Sequence, residues 1–398
     1  MSHSSKRLKT AVLGATGAVG QRFVELLADH PWFEMTRLSA SDRSSGKSYQ
    51  EACGWRLPSP IPRSAAGQIV EDMEPDGSVD LAFSALSADV APEVEMAWAR
   101  AGVPVFSNAR SYRLEPDVPL LIPEINPDHL ELIAKQKAFR QLPDSGFIVT
   151  NANCSTTVLA MALAPIERAF GLRRVSVVTL QAISGAGYPG LPSMEILGNV
   201  IPFISGEEEK MESETRKILG KLTGGRVAPA ELVLSAQVNR VPVFDGHTES
   251  VSFETARPAR LEEIREALTS FRGEPQEAQL PSAPCHPVLV LDGRDRPQPM
   301  LDLYREKAMA TLVGRLRPCP VLGFKMSLLG HNTIRGAAGG SILNAELAYA
   351  RGLFSVLRGP ADRPSAFADF RVRQLRRTRR SLGGGGPAGA CGRVEDYI

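Results

Sequence analysis

Near the start of the chain a short apolar run, Thr10-Ala11-Val12-Leu13, meets Gly14-Ala15-Thr16-Gly17-Ala18-Val19-Gly20, and Gln21 to Leu27 then reads as a helix. Strand, glycine turn and helix in immediate succession commit this end of the chain to an α/β arrangement. They also meet the needs of a dinucleotide-phosphate loop. Glycine lets the main chain approach a pyrophosphate, and the helix N-terminus faces its charge. The GxxGxxG spacing is a variant of the commoner GxGxxG, and a plain glycine turn is the other reading. A second β-prone run, 33–40, ends in Ser41-Asp42-Arg43-Ser44-Ser45-Gly46-Lys47. At this point of a nucleotide-binding fold an acidic residue grips ribose hydroxyls, whereas an arginine accommodates a 2′-phosphate. Arg43 among hydroxyls favours NADP, and Asp42 is the counterweight. Residues 51–76, rich in Pro, Gly and Ala, read as loop. A strand at 79–84, a helix at 92–100 and a strand at 103–106 continue the alternation of a doubly wound parallel sheet.

The chemistry concentrates further on. Phe147-Ile148-Val149 is β-prone, Val158 to Ala164 suits a helix, and between them lies Asn151-Ala152-Asn153-Cys154-Ser155-Thr156-Thr157. Cys154 is expected in a strand-to-helix turn capped by Asn153 or Ser155. There the helix N–H groups favour a thiolate, lowering a thiol pKa of about 8.5, and are placed to hold an oxyanion. The alternative is a small buried cysteine.

A strong β run, 175–180, leads into the glycine-rich Gln181 to Gly190, which is free to pass close to a ligand. Gly206-Glu207-Glu208-Glu209-Lys210 opens a helix to about Leu222. Three apart, Glu207 and Lys210 share a face and offer opposite charges, although acidic residues at a helix start also simply complement its dipole. Arg240 and His247 flank Phe244-Asp245-Gly246. Arginine binds a carboxylate through paired hydrogen bonds, and histidine carries protons near neutral pH. Arg113, after the strand at 103–106, is a candidate anion contact. Strands are expected at 249–254, 288–291 and 325–329, with a helix at 262–271, and 311–316 fits strand or helix end. The Ala-rich helix 341–353 is expected to pack back on the first domain. From Arg358 the composition turns basic and then glycine-rich, as in a disordered tail.

Composition narrows the function. A chain of 398 residues suits two domains, and a net charge of +2 gives no field for nucleic acid or membrane. Five scattered cysteines without CxxC pairs, and six histidines without HxH or HExxH, argue against a disulfide-stapled fold or a metal centre. Residues 1–9 lack the apolar core of a signal peptide, and no apolar run approaches the ~20 residues of a membrane span. A cytoplasmic location follows.

With these segments in view, the chain resembles the aspartate-semialdehyde dehydrogenase family in its archaeal and fungal branch. The resemblance covers residues 9–353 and rests on GATGAVGQRF, SNARSYR, NANCST, QAISGAGYPG, GEEEK, NRVPVFDGH and HNTIRGAAG in that order. It implies a Rossmann-type doubly wound sheet in residues 1–150, completed by a helix at 335–355. An α+β catalytic and dimerisation domain at 151–334 and a tail at 358–398 complete the plan. It further implies Cys154 as nucleophile, His247 as acid–base residue, Gln181 orienting the carbonyl, Arg240 clamping the substrate α-carboxylate and Glu207 touching substrate. Arg113, Asn108 and Lys210 look like the phosphate set. Gly14, Thr16, Gly17, Ala18, Val19, Ser41, Arg43, Ser44, Ser184, Gly185 and Asn332 look like NADP contacts. Ala152 stands where the family more often has proline. Expected partners are 4-phospho-L-aspartate, L-aspartate 4-semialdehyde, phosphate, and further copies of the chain in a homodimer or homotetramer. An acyl-CoA reductase resembling malonyl-CoA reductase is the nearest alternative, and a non-catalytic NADP-binding regulator a more distant one.

Overall fold

A computed structural model describes residues 7–354; the expected tail at 358–398 lies outside the described residues. The first sheet comprises β1 (Leu8–Leu13), β2 (Phe33–Ser39), β3 (Leu81–Ser84), β4 (Val105–Ser107), β5 (Leu120–Leu121) and β6 (Ile148–Asn151). Its spatial order is β2-β1-β3-β4-β6-β5, and every pairing is parallel. Such strands need cover on both faces, which explains their continuous apolar runs. Phe23 and Leu27 of α1 (Ala18–Leu27) cover one face together with Ile342, Leu343 and Leu347. Trp98 and Ala99 of α2 (Ala91–Arg100) cover the other. The order reverses between β1 and β3, so the carboxyl ends of those strands meet where an open parallel sheet offers its ligand crevice.

After β6 the chain enters α3 (Cys154–Phe170) and a second, mixed sheet. This contains β7 (Leu172–Gln181), β10 (Val233–Arg240), β11 (His247–Thr255), β12 (Val288–Leu291), β13 (Thr311–Cys319) and β14 (Gly323–Gly330). A small hairpin, β8 (Lys221–Thr223) and β9 (Arg226–Ala228), stands apart. The order is β10-β7-β11-β14-β13-β12, antiparallel at its centre and parallel at both edges. Helix α3, α4 (Glu207–Ile218) and α5 (Leu261–Thr269) cover one face with a core that includes Leu159, Leu163, Met211 and Ile264. Alternation along β7 and β10 leaves Val178, Leu180 and Val233 exposed on the other face.

The segment 311–316, open between strand and helix end, is strand β13. Of the 51–76 loop, only Tyr49–Ala52 and Arg63–Ala66 coil into single helical turns. The last helix among the described residues, α6 (Gly339–Ala350), starts earlier than its apolar pattern suggested and follows a wide turn at Ile334–Ala338. It packs on the first sheet through the core named above.

Candidate active site

Asn153 caps α3, its Oδ1 accepting from the main-chain N–H of Ser155 at 3.0 Å and of Thr156 at 3.1 Å. This satisfies two of the helix's unpaired donors and fixes Cys154 at the first helical position. The thiol reaches across the domain to β11, where Sγ stands 3.1 Å from His247 Nε2, although 93 positions separate the residues. Gly336, in the wide turn before α6, presses on the same cysteine. A Cβ there would fall 2.6 Å from Cys154 Cβ, so only glycine fits.

Electrostatics here departs from the local expectation. Ser155 N–H, Arg113 and Arg240 each draw the Cys154 thiol downward, as a helix terminus and cations should. Burial, reinforced by Glu207, outweighs them and pushes it up to about 12. Burial likewise holds His247 down to about 3, helped by Arg240 and then His331. Burial thus works against the charged form of both groups.

Register assembles the remaining catalytic candidates. Arg240 ends β10 directly beside Gln181, the last residue of the parallel β7. Arg240 Nη1 donates to the Ala182 carbonyl at 2.8 Å. A side chain at Gly185 would meet Arg240 Nη1 at 2.8 Å and His247 Cε1 at 3.3 Å, so that glycine's main chain lies against both. Gln181 is buried, and its amide donates to Thr179 Oγ1 at 3.3 Å. Asn332 links two of these loops, donating to Ser184 Oγ at 2.7 Å and accepting from Gly246 N–H at 2.9 Å.

Helix α4 supplies the other wall. Glu207 accepts from Asn153 Nδ2 and from Lys210 Nζ, the latter at 2.7 Å. Arg113 donates through Nη2 to the Asn108 carbonyl at 2.7 Å and through Nη1 to Glu214 at 3.0 Å, while its buried Nε is left without a partner among the described residues. Asn108 itself accepts from Asn151 at 3.2 Å. Glu214 was missed in the sequence. It is buried, and its second oxygen accepts from Asn153 N–H at 2.7 Å, joining the Arg113 guanidinium to the cap of α3. Its spacing of seven from Glu207 on one helix face was the available signal. Arg22 was missed as well: its guanidinium ties α1 to Asp245 at 3.2 Å and to Thr333 at 3.2 Å.

At the nucleotide end, Gly14 turns the chain with φ +77, and a Cβ there would meet the Ala85 carbonyl at 2.9 Å. Gly17 caps α1 without a side-chain bond, and the first turn carries no acidic residue. The bare helix end and the close-packed glycines fit a dinucleotide pyrophosphate. Thr16 belongs to this turn, and Ala18 and Val19 open α1. Ser41, Arg43 and Ser44 follow β2, and Ser41 and Arg43 are exposed.

Comparison with known proteins agrees with this fold. The family model for the semialdehyde dehydrogenase NAD-binding domain matches residues 9–133, and that for the semialdehyde dehydrogenase dimerisation domain matches 163–335. The chain is 51% identical to the aspartate-semialdehyde dehydrogenase of Methanothermobacter thermautotrophicus, over 85% of this chain and 98% of that one. Against the Cryptococcus neoformans enzyme of the same name identity is 47%, covering 87% and 98%. The crystal structure of the Candida albicans enzyme with NADP superposes with a TM-score of 0.81 at 43% identity, covering 87% of this chain and all of that one.

Proposed function

Because the chain belongs to the aspartate-semialdehyde dehydrogenase family, we propose that it catalyses the NADPH-dependent reductive dephosphorylation of 4-phospho-L-aspartate to L-aspartate 4-semialdehyde, a step of aspartate-family amino-acid biosynthesis. The observation that carries this reading is the 3.1 Å approach of the Cys154 thiol to His247 at a helix N-terminus. The relatives lend no support to the acyl-CoA reductase alternative.

In this reading Cys154 attacks the acyl carbon, expels phosphate and becomes a thioester, which divides one difficult step into two. His247 is its acid–base partner. The Cys154 N–H, the first-turn donor that Asn153 does not take, would face the oxygen that gains charge. Arg240 clamps the α-carboxylate, Gln181 orients the carbonyl and Glu207 touches the substrate. Arg113, Lys210 and Asn108 receive the phosphate, for which the unpartnered Arg113 Nε holds a donor in reserve. Gly14, Thr16, Gly17, Ala18 and Val19 would cradle the NADP pyrophosphate. Ser41, Arg43 and Ser44 would take the ribose phosphate, and Ser184, Gly185 and Asn332 the nicotinamide end. Bound there, NADPH supplies the hydride that reduces the thioester.

The exposed apolar face of the second sheet, with Val178, Leu180 and Val233, suits a second copy of the chain. A homodimer or homotetramer in the cytoplasm completes the reading. Among the described residues no helix is long and apolar enough to cross a membrane. NADP reduction by L-aspartate 4-semialdehyde, with and without phosphate, tests the activity. Phosphate-dependent turnover is expected; turnover that ignores phosphate but responds to CoA would overturn it.

A further inference from the structure

Helix α4 carries four charged residues on one face. Glu207, Lys210, Glu214 and Lys217 follow one another at helical spacing, and Glu207, Glu214 and Lys217 are buried. A buried charge has to be compensated. Glu207 and Glu214 meet the cap of α3, and Glu214 also holds the Arg113 guanidinium. Lys217, roughly 15 Å further along the helix than Glu207, turns to main-chain oxygen instead. Its Nζ donates to the carbonyls of Arg113 at 2.7 Å, Glu115 at 2.8 Å and Val118 at 3.0 Å. An ammonium has three donors, and a single short stretch of chain takes all of them.

That stretch carries Arg113 and lies between β4 and β5, outside any strand or helix. Ladder hydrogen bonds therefore do not hold it. Arg113 is instead gripped twice by α4, at its guanidinium by Glu214 and at its carbonyl by Lys217. With only the first grip the residue could swing about its tip. The second leaves its buried, unpartnered Nε a fixed direction.

We propose that Lys217 is a positioning residue of the anion site, its ammonium gathering the carbonyls of Arg113, Glu115 and Val118 so that Arg113 reaches the phosphate from a fixed main chain. This deepens the reaction proposed above and rests on that reading. Lys210, on the same face, bonds to Glu207 and is a direct phosphate candidate; Lys217 faces carbonyls and acts through Arg113.

The charges around the ammonium come from three directions. Glu214 stands on α4, and Glu115 and Asp117 belong to the gathered stretch. Arg140, from the helix Leu132–Arg140, pairs with Glu115 at 3.1 Å and with Asp117 at 2.8 Å. His129, in the turn Pro127–Glu131, is pushed down by burial, with Lys217 a lesser cause. Burial draws Lys217 itself from 10.5 down to about 8, against the pull of Asp117, Glu115 and Glu214. The ammonium is thus intact at neutral pH and is lost as pH rises through about 8.

The test is steady-state oxidation of L-aspartate 4-semialdehyde by the full chain with NADP, at varied phosphate. Lys217→Met keeps the length of the side chain and removes its charge and donors. KM for phosphate should rise about tenfold, while KM for the semialdehyde and for NADP changes by less than about twofold. The variant-to-wild-type ratio of phosphate KM, in which the ionisation of phosphate itself cancels, should shrink between about pH 7 and about pH 9. An unchanged KM for phosphate would overturn the proposal. Equal rises for phosphate and semialdehyde would do the same, making Lys217 a general support. A large ratio that stays flat with pH would remove the ammonium charge from the account. Should Lys217→Met not fold, Lys217→Gln, shorter and uncharged, takes its place in the same comparison. Wild-type turnover indifferent to phosphate would overturn the reaction reading instead, and shows before any variant is made.

Discussion

Around Cys154 the functional side chains are already held: the cap by Asn153, His247 by Ala182, Arg240 by the Ala182 carbonyl, Arg113 by Glu214 and Asn108. At the nucleotide end, Ser41 and Arg43 stand exposed, and among the described residues Arg43 engages only through its carbonyl, which accepts from Lys47 at 2.9 Å. The difference follows from what each region must do. Stabilising charge that develops in a transition state requires donors fixed beforehand. Recognising a cofactor phosphate needs only a cation that its ligand can order. The catalytic region should therefore be intolerant of small displacements, and the nucleotide edge forgiving.

The sharpest way to break that contrast is Gly336→Ala, which adds one methyl against Cys154 Cβ. Displacing the nucleophile by a fraction of an ångström should lower kcat/KM by about 100-fold with NADP binding intact. A neutral result in steady-state kinetics would show the thiol to be less constrained than its packing implies. Glu214→Gln comes next. It leaves Arg113 less firmly held and should raise KM for phosphate about tenfold, with KM for the semialdehyde little changed. Equal rises in both would make Glu214 a general structural support. At the other end, Arg43→Ala should cost about tenfold in kcat/KM for NADP while sparing turnover with NAD. An equal loss with both cofactors would remove Arg43 from phosphate recognition.

The smallest effect concerns Glu249, fully buried below His247 with neither oxygen partnered among the described residues. Burial holds its folded pKa well above the ordinary 4.5. As pH rises past that value, the unfolded chain gives up its proton while the folded protein keeps it, so stability falls with pH. Glu249→Gln removes this dependence. Its stability relative to wild type, from denaturant unfolding, should improve steadily from about pH 5 to about pH 8. A difference independent of pH would show that Glu249 titrates normally.

What was legible in the sequence follows the range of the forces involved. The glycine turn before α1 and the cap of α3 depend on neighbours a few residues away; the turn was readable, and the cap was narrowed to Asn153 or Ser155. Arg240 and His247 were chemically conspicuous, but their meeting with Cys154 depends on sheet register, which places β10 beside β7 and β7 beside β11. Glu214 escaped because its partners, the guanidinium of Arg113 and the cap of α3, lie 101 and 61 positions away in the sequence. The thiol pKa was expected to fall on local grounds. It rises because burial, a property of the whole packed domain, is the larger contribution. The role of Gly336 was illegible for a similar reason, since nothing in HNTIRGAAG names the cysteine it must clear.

The most direct test is to trap the thioester. Enzyme given L-aspartate 4-semialdehyde and NADP without phosphate, then quenched in acid and digested, should yield an acyl adduct on the peptide containing Cys154. Phosphate added before the quench should remove it. An adduct on another residue, or turnover with phosphate but no adduct at Cys154 under these conditions, would contradict covalent catalysis at that thiol.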